Sequence, residues 1–221
     1  MFRPKLETLP PAQRALWPRL AEIPPRFVLY GGTAVALRLG HRVSVDLDFF
    51  SAPPFRPDEI LNAISWLRAP APRFFQRQAN TLTVETEGPG GAVKLSFFGG
   101  LDIGQINAPD VCADNGLKVA SAEDLLALKL ATIQQREEAK DFLDLHALLR
   151  AGLSLERAVG HLLALHPVGT NEVITLKALV YFKGGDLDTL SEDLKRDVEA
   201  AVRRVREVTV FRGTKTPIGS V

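Results

Sequence analysis

Two neighbouring glycines, Gly31 and Gly32, constrain this chain more than any other feature. They end a short apolar run, RFVLY over 26–30, and precede a short helical pattern that Gly40 closes. Glycine at a strand-to-helix turn and again just past a helix end is the usual way a chain reverses twice in few residues. The next segment, 43–50, alternates: Val43, Val45, Leu47 and Phe49 fall on one side, Ser44, Asp46 and Asp48 on the other. Successive strand side chains point to opposite faces, so both aspartates share the face away from the apolar set. The spacing thus predicts strand, glycine turn, short helix, and a second strand that presents two carboxylates.

Around this unit the remaining signals are ordinary. A helix is expected over 11–22, stopped by Pro24-Pro25, and another over 58–68. Strands are expected at 73–77, 80–86 and 92–98, with Gly88-Pro89-Gly90-Gly91 as a turn between the last two, and a weaker strand at 101–107. These would form a hairpin or meander beside the first two strands. Beyond Leu117 strand signals stop, and helices are expected near 121–134, 138–151, 154–166, 171–182 and 188–207. The fold class is therefore α+β, with a core at 1–118 (a mixed sheet with flanking helices and an N-terminal helix), a helical region at 119–207, and a loose tail at 208–221.

With 221 residues the chain can bury a large core, and a net charge of +1 gives no bulk attraction to nucleic acid. A single cysteine, Cys112, excludes an intrachain disulfide and suits a reducing compartment. No apolar leader and no run of membrane-spanning length is present, so the expected location is the cytoplasm, with no membrane partner.

Backbone amides at a helix start form an anion site, and glycine lets a phosphate come close. Gly31, Gly32 and Thr33 are the candidates for it. Two carboxylates on one strand face repel unless a cation lies between them, and Mg²⁺ commonly takes one or two carboxylates plus substrate phosphates. Asp46 and Asp48 are therefore the candidate ligands for Mg²⁺ or Mn²⁺, although two solvated aspartates would give the same pattern. Arg42 lies just ahead of them, placed to neutralise phosphate or to sit solvated at the surface. Further on, Lys129 falls in the apolar stripe of Leu125, Leu126, Leu130 and Ile133, and Asp141 flanks that of Phe142, Leu145 and Leu149. A lysine on an apolar face snorkels, pairs or serves a site; an interhelix salt bridge is the plain alternative. The basic residues after 195 are interleaved with acids and read as a solvated helix face.

The pattern Gly31-Gly32-x13-Asp46-x-Asp48 resembles the signature of polymerase-β-type nucleotidyltransferases. GGTAVALRLGHRVSVDLDFF, followed by LLALKLATIQQREEAKDFLDLHALL, resembles the AbiEii/AbiGii toxin family, over about residues 26 to 182. The resemblance implies a polymerase-β-like nucleotidyltransferase core followed by a helical C-terminal region. It implies that Gly32 contacts the triphosphate of an NTP, that Asp46 and Asp48 hold Mg²⁺, that Lys129 contacts phosphate and that Asp141 assists catalysis. It further implies transfer of a nucleotide to a hydroxyl acceptor such as the 3′ end of tRNA or another RNA, and a cognate antitoxin as partner. One departure is visible. The superfamily often carries a third carboxylate on a later strand, where this chain has Ser96; Glu85 is the nearest acid on the preceding strand. A catalytically weak nucleotide-binding protein and a small-molecule nucleotidyltransferase therefore stay open as alternatives.

Overall fold

The computed structural model describes residues 2–68, 72–166, 170–213 and 215–219. It divides into two compact units: the chain up to Ser121 together with the stretch from Thr216, and Ala122–Lys215.

In the first unit, α1 (Pro11–Leu16) begins with proline at its first position, where a missing N–H is no loss, and a 3-10 segment continues it to Glu22. Strand β1 (Val28–Tyr30) runs into α2 (Gly31–Leu39), which Gly40 ends in the left-handed conformation. There follow β2 (Leu47–Phe50), α3 (Pro57–Ala63), β3 (Arg73–Gln78), β4 (Thr81–Gly88) and β5 (Gly91–Phe98). Three short strands, β6 (Gly104–Gln105), β7 (Asp110–Val111) and β8 (Lys118–Val119), complete this part. The seven-stranded mixed sheet has the order β3-β4-β5-β2-β1-β8-β7, with β5 parallel to β2 and β8 parallel to β1. Its apolar face carries Leu47, Phe49, Leu82, Val84, Leu95 and Phe97, all buried. Phe27 meets Phe97 edge-on at 5.3 Å, and Phe49 stacks on Phe97 at 5.1 Å.

Several expectations change here: the helix expected over 58–68 ends at Ala63, and the one expected over 188–207 begins at Glu192. The strand begins at Leu47, not Val43, and Val43 and Val45 are each 59% exposed. The backbone of 43–46 is pinned by other partners: Ser44 N–H donates to the Thr8 carbonyl at 3.1 Å and Gln13 Nε2 to the Val45 carbonyl at 2.5 Å. The alternation therefore described an extended loop before it described a strand.

The tail also differs from its expected loose state. Strand β9 (Thr216–Pro217) pairs antiparallel with β6, Ile218 is fully buried, and its carbonyl accepts from Ala52 N–H at 3.0 Å. Residues 214, 220 and 221 of that stretch lie outside the described residues.

The second unit is helical: α4 (Ala122–Ile133), α5 (Ala139–Arg150), α6 (Leu155–Leu165), α7 (Glu172–Leu179) and α8 (Glu192–Arg204). Three starts follow from sequence, since Ser154, Asn171 and Ser191 accept backbone N–H groups of α6, α7 and α8 as side-chain caps. Leu125, Leu126, Leu130, Phe142, Leu145, Leu148, Val159 and Leu162 form the core. Residues 209–211 cross α6 at Gly160, whose carbonyl accepts Phe211 N–H at 3.2 Å. On α8 the interleaved charges pair along the helix, as in Lys195–Glu192 at 2.8 Å.

Candidate active site

The glycine turn and the aspartate pair meet in the first unit. Strand β1 lies antiparallel beside β2, with Tyr30 opposite Asp48. That register brings the start of α2 against the Asp48 carboxylate. A Cβ on Gly31 would stand 3.0 Å from Asp48 Oδ2, and Gly31 has φ +73°. Glycine is thus required twice, for the backbone conformation and for the close approach. The first amides of α2 lack intrahelical partners and carry the positive end of its dipole.

Thr33, the third candidate for nucleotide contact, sits in the first turn of α2. Its side chain is fully buried; the hydroxyl donates to the Asp46 carbonyl and shares a 2.9 Å hydrogen bond with the Ser44 hydroxyl. It fixes the backbone from which Asp46 projects. Arg42 lies in the loop ahead of Asp46, and its Nη1 donates to the Val43 carbonyl at 2.9 Å. Arg38 is spent on structure, donating to the Val119 and Ala120 carbonyls and pairing with Asp110 at 2.7 Å.

Cross-strand register defines the surroundings of the aspartates. Asp48 neighbours Ser96 on β5, Ser96 neighbours Thr83 on β4, and Thr83 neighbours Gln76 on β3. Neighbours in register share a face, so a polar row without a third acid runs outward from Asp48. One step along the strands lies a second row. Lys94 Nζ stands 3.8 Å from Asp46 Oδ1, Glu85 pairs in register with Lys94, and Arg73 with Glu85. Glu85 is therefore separated from Asp46 by a whole strand bearing a lysine. Lys94 was missed in the sequence, although its place two residues before Ser96 puts it on that face.

The donor set suits a divalent cation. Two carboxylates on one face beside a cradle that a Cβ would fill supply part of a Mg²⁺ shell, and phosphate and water oxygens ordinarily supply the rest. Among the described residues no group of three or more His, Cys, Asp or Glu could hold a metal by itself.

Lys129 and Asp141 meet inside the second unit, in a buried ion cluster. Lys129 Nζ lies 2.7 Å from Asp141 Oδ1 and 2.6 Å from Asp144 Oδ2; the lysine side chain is 7% exposed and both carboxylates 0%. Arg136 Nε donates to Asp141 Oδ2 at 2.8 Å, and its Nη2 lies 3.2 Å from Oδ1. Burial raises the Asp141 pKa, but the Arg136 hydrogen bond and the Lys129 charge outweigh it and hold the carboxyl below its ordinary value. A carboxylate so paired is a weak proton acceptor, so the arrangement fits an orienting role for Asp141 better than a base. Asp144 had no assigned role, although the Lys-Asp-x-x-Asp spacing puts both acids within one helical turn.

Comparison with known proteins adds the decisive observation. The sequence model of the nucleotidyl transferase AbiEii toxin, of type IV toxin–antitoxin systems, matches residues 14–209. The chain belongs to the AbiEii family. An uncharacterised protein of Aquifex aeolicus (strain VF5) is 32% identical over 184 residues, covering 82% of this chain and 83% of the relative. Among solved structures, the nucleotidyltransferase toxin MenT4 of Mycobacterium tuberculosis H37Rv superposes with a TM-score of 0.54 at 18% identity, covering 88% of this chain and 91% of that one. A candidate nucleotidyltransferase of H. pylori gives 0.53 at 18% identity, covering 87% and 91%. At such identity the likeness is one of fold, and it establishes a nucleotidyltransferase-like core with C-terminal helices for this AbiEii member. Among the described residues no helix is long and apolar enough to cross a membrane.

The close approach at Gly31 makes a direct test of the turn. Gly31→Ala is expected to destabilise the protein by about 1–2 kcal/mol through its left-handed backbone. It should also weaken Mg·NTP binding, because the new methyl displaces Asp48. Calorimetric titration that finds both stability and affinity unchanged would show that the turn is not tight.

Proposed function

We propose that this AbiEii protein is a metal-dependent nucleotidyltransferase that moves NMP from an NTP to a hydroxyl on RNA, the 3′ end of tRNA being the first candidate, as the toxin of a toxin–antitoxin pair. The observation that carries the reading is the convergence of the α2 amides and the Asp48 carboxylate at Gly31. One element can hold phosphate oxygens and the other a cation bound to the same phosphates.

In this reading Gly31 and Gly32 offer amides to the triphosphate, Thr33 fixes Asp46 from behind, and Arg42 adds positive charge near the loop. Asp46 and Asp48 hold Mg²⁺, which when bound polarises the phosphate and stabilises the departing pyrophosphate. The protein's own share is to position the reactants and to present fixed dipoles where charge develops. Within the helical unit, Asp141 acts by holding Lys129 and Arg136.

The test is incubation with each of the four labelled NTPs, Mg²⁺ and total RNA. Label is expected in tRNA-sized RNA and absent with EDTA. No transfer to any RNA or small hydroxyl acceptor would refute the proposal. Ser96 beside Asp48, with no acid in its row, favours a second reading: a protein that binds NTP without transferring it. NTP binding that persists without turnover would establish that one.

A further inference from the structure

One row along from Ser96, where a third acid would stand, the sheet supplies a lysine beside Asp46. We propose that Lys94 is the resident counter-cation of Asp46 and competes with the divalent cation for it, an inference that rests on the metal-binding reading of Asp46 and Asp48. Three observations carry it. Lys94 projects from β5 on the aspartate face, and its ammonium lies 3.8 Å from Asp46 Oδ1. The neighbouring acid in its row, Glu85, is turned to another cation, Arg73, at 3.9 Å. The side chains of Lys94 and Asp46 are 45% and 43% exposed, so the ammonium can leave without stranding a buried charge.

The consequence is electrostatic. Two aspartates one residue apart on a strand face repel when no cation is near. A tethered ammonium relieves that repulsion in the resting protein. A divalent ion must displace it, so the free ion binds weakly, and a metal arriving with a triphosphate has the advantage of the α2 amides as well. An acid at the same place would do the opposite and draw metal in ahead of nucleotide.

Mn²⁺ titration of the full chain without nucleotide, by calorimetry and by the electron paramagnetic resonance of free Mn²⁺, tests the proposal. Lys94→Gln is expected to tighten Mn²⁺ binding by about three- to fivefold at low salt, the range of an exposed ion pair. Lys94→Arg should behave as wild type. With Asp46→Asn also present, Lys94→Gln should no longer change Mn²⁺ affinity. Equal or weaker Mn²⁺ binding by Lys94→Gln, where wild-type binding depends on Asp46 and Asp48, overturns the role of Lys94 alone. Mn²⁺ binding that is absent from both proteins, or indifferent to both aspartates, overturns the metal reading together with it.

Discussion

Lys129→Met will destabilise the protein by about 3–5 kcal/mol, the usual consequence of removing one partner from a buried ion cluster. Lys129 is the cation shared by Asp141 and Asp144, and all three are buried. Methionine fills much of the same space but leaves two carboxylates in a low-dielectric interior. Asp141 retains Arg136; Asp144 loses the ammonium at 2.6 Å. For a chain of this size the loss corresponds to a fall in Tm of roughly 6–20 °C. Adding Asp144→Leu to Lys129→Met should recover part of it, since a neutral apolar pair costs less than a buried carboxylate that has lost its ammonium. A Tm drop of only a degree or two in the single variant would mean that water reaches the cluster. Acid gives an independent check. The Asp141 pKa lies below its ordinary 3.8 in the folded protein. Its stabilisation is therefore complete above about that pH and is lost as pH falls through the lower folded value. The wild-type protein should lose stability there more steeply than an Asp141→Asn variant, which starts weaker.

Asp48→Asn is expected to lower metal-dependent nucleotide transfer by at least about 10³-fold, the several kcal/mol that a correctly placed cation supplies. Stability should change by no more than about 0.5 kcal/mol, as for substitutions outside a packed core. The contrast with Lys129→Met is the informative part: one change removes activity and spares the fold, the other attacks the fold. Transfer of label by Asp48→Asn at the wild-type rate would remove Asp48 from the site.

What could be read from sequence follows the range of the interactions. The β1–Gly31–α2–β2 unit was legible because its signals are local: a glycine turn, a helix end at Gly40 and alternation up to Phe50. The helix starts at Ser154 and Asn171 were legible for the same reason, whereas the helix expected from 188 begins only after Ser191, because Leu187–Thr189 form a separate 3-10 turn. Alternation misplaced the start of β2, because a side-chain pattern cannot tell a ladder from a loop whose backbone is held by Gln13 and Thr8. Lys94 escaped notice because its meaning depends on β5 lying parallel beside β2, a pairing of residues such as Asp48 and Ser96 that are far apart in the chain. For Lys129 and Asp141 the salt-bridge alternative was open from the start, and the geometry shows that pairing together with a third member, Asp144, which spacing alone did not single out.

The pairing of Gly104–Gln105 with Thr216–Pro217 has a consequence for synthesis. The unit that carries the aspartates is interrupted by the whole helical unit and is finished only when the segment around Ile218 arrives. At ordinary elongation rates the ribosome needs roughly 6–20 s to make the intervening stretch. During that interval the surface later covered by Ile218 is open, while the helical unit is emerging and able to fold. Closing so long a loop costs little more entropy than closing one half its length, so the delay is set by translation and not by the search. An AbiEii chain of this design stays incomplete at its aspartate-bearing unit until the segment around Ile218 has been made.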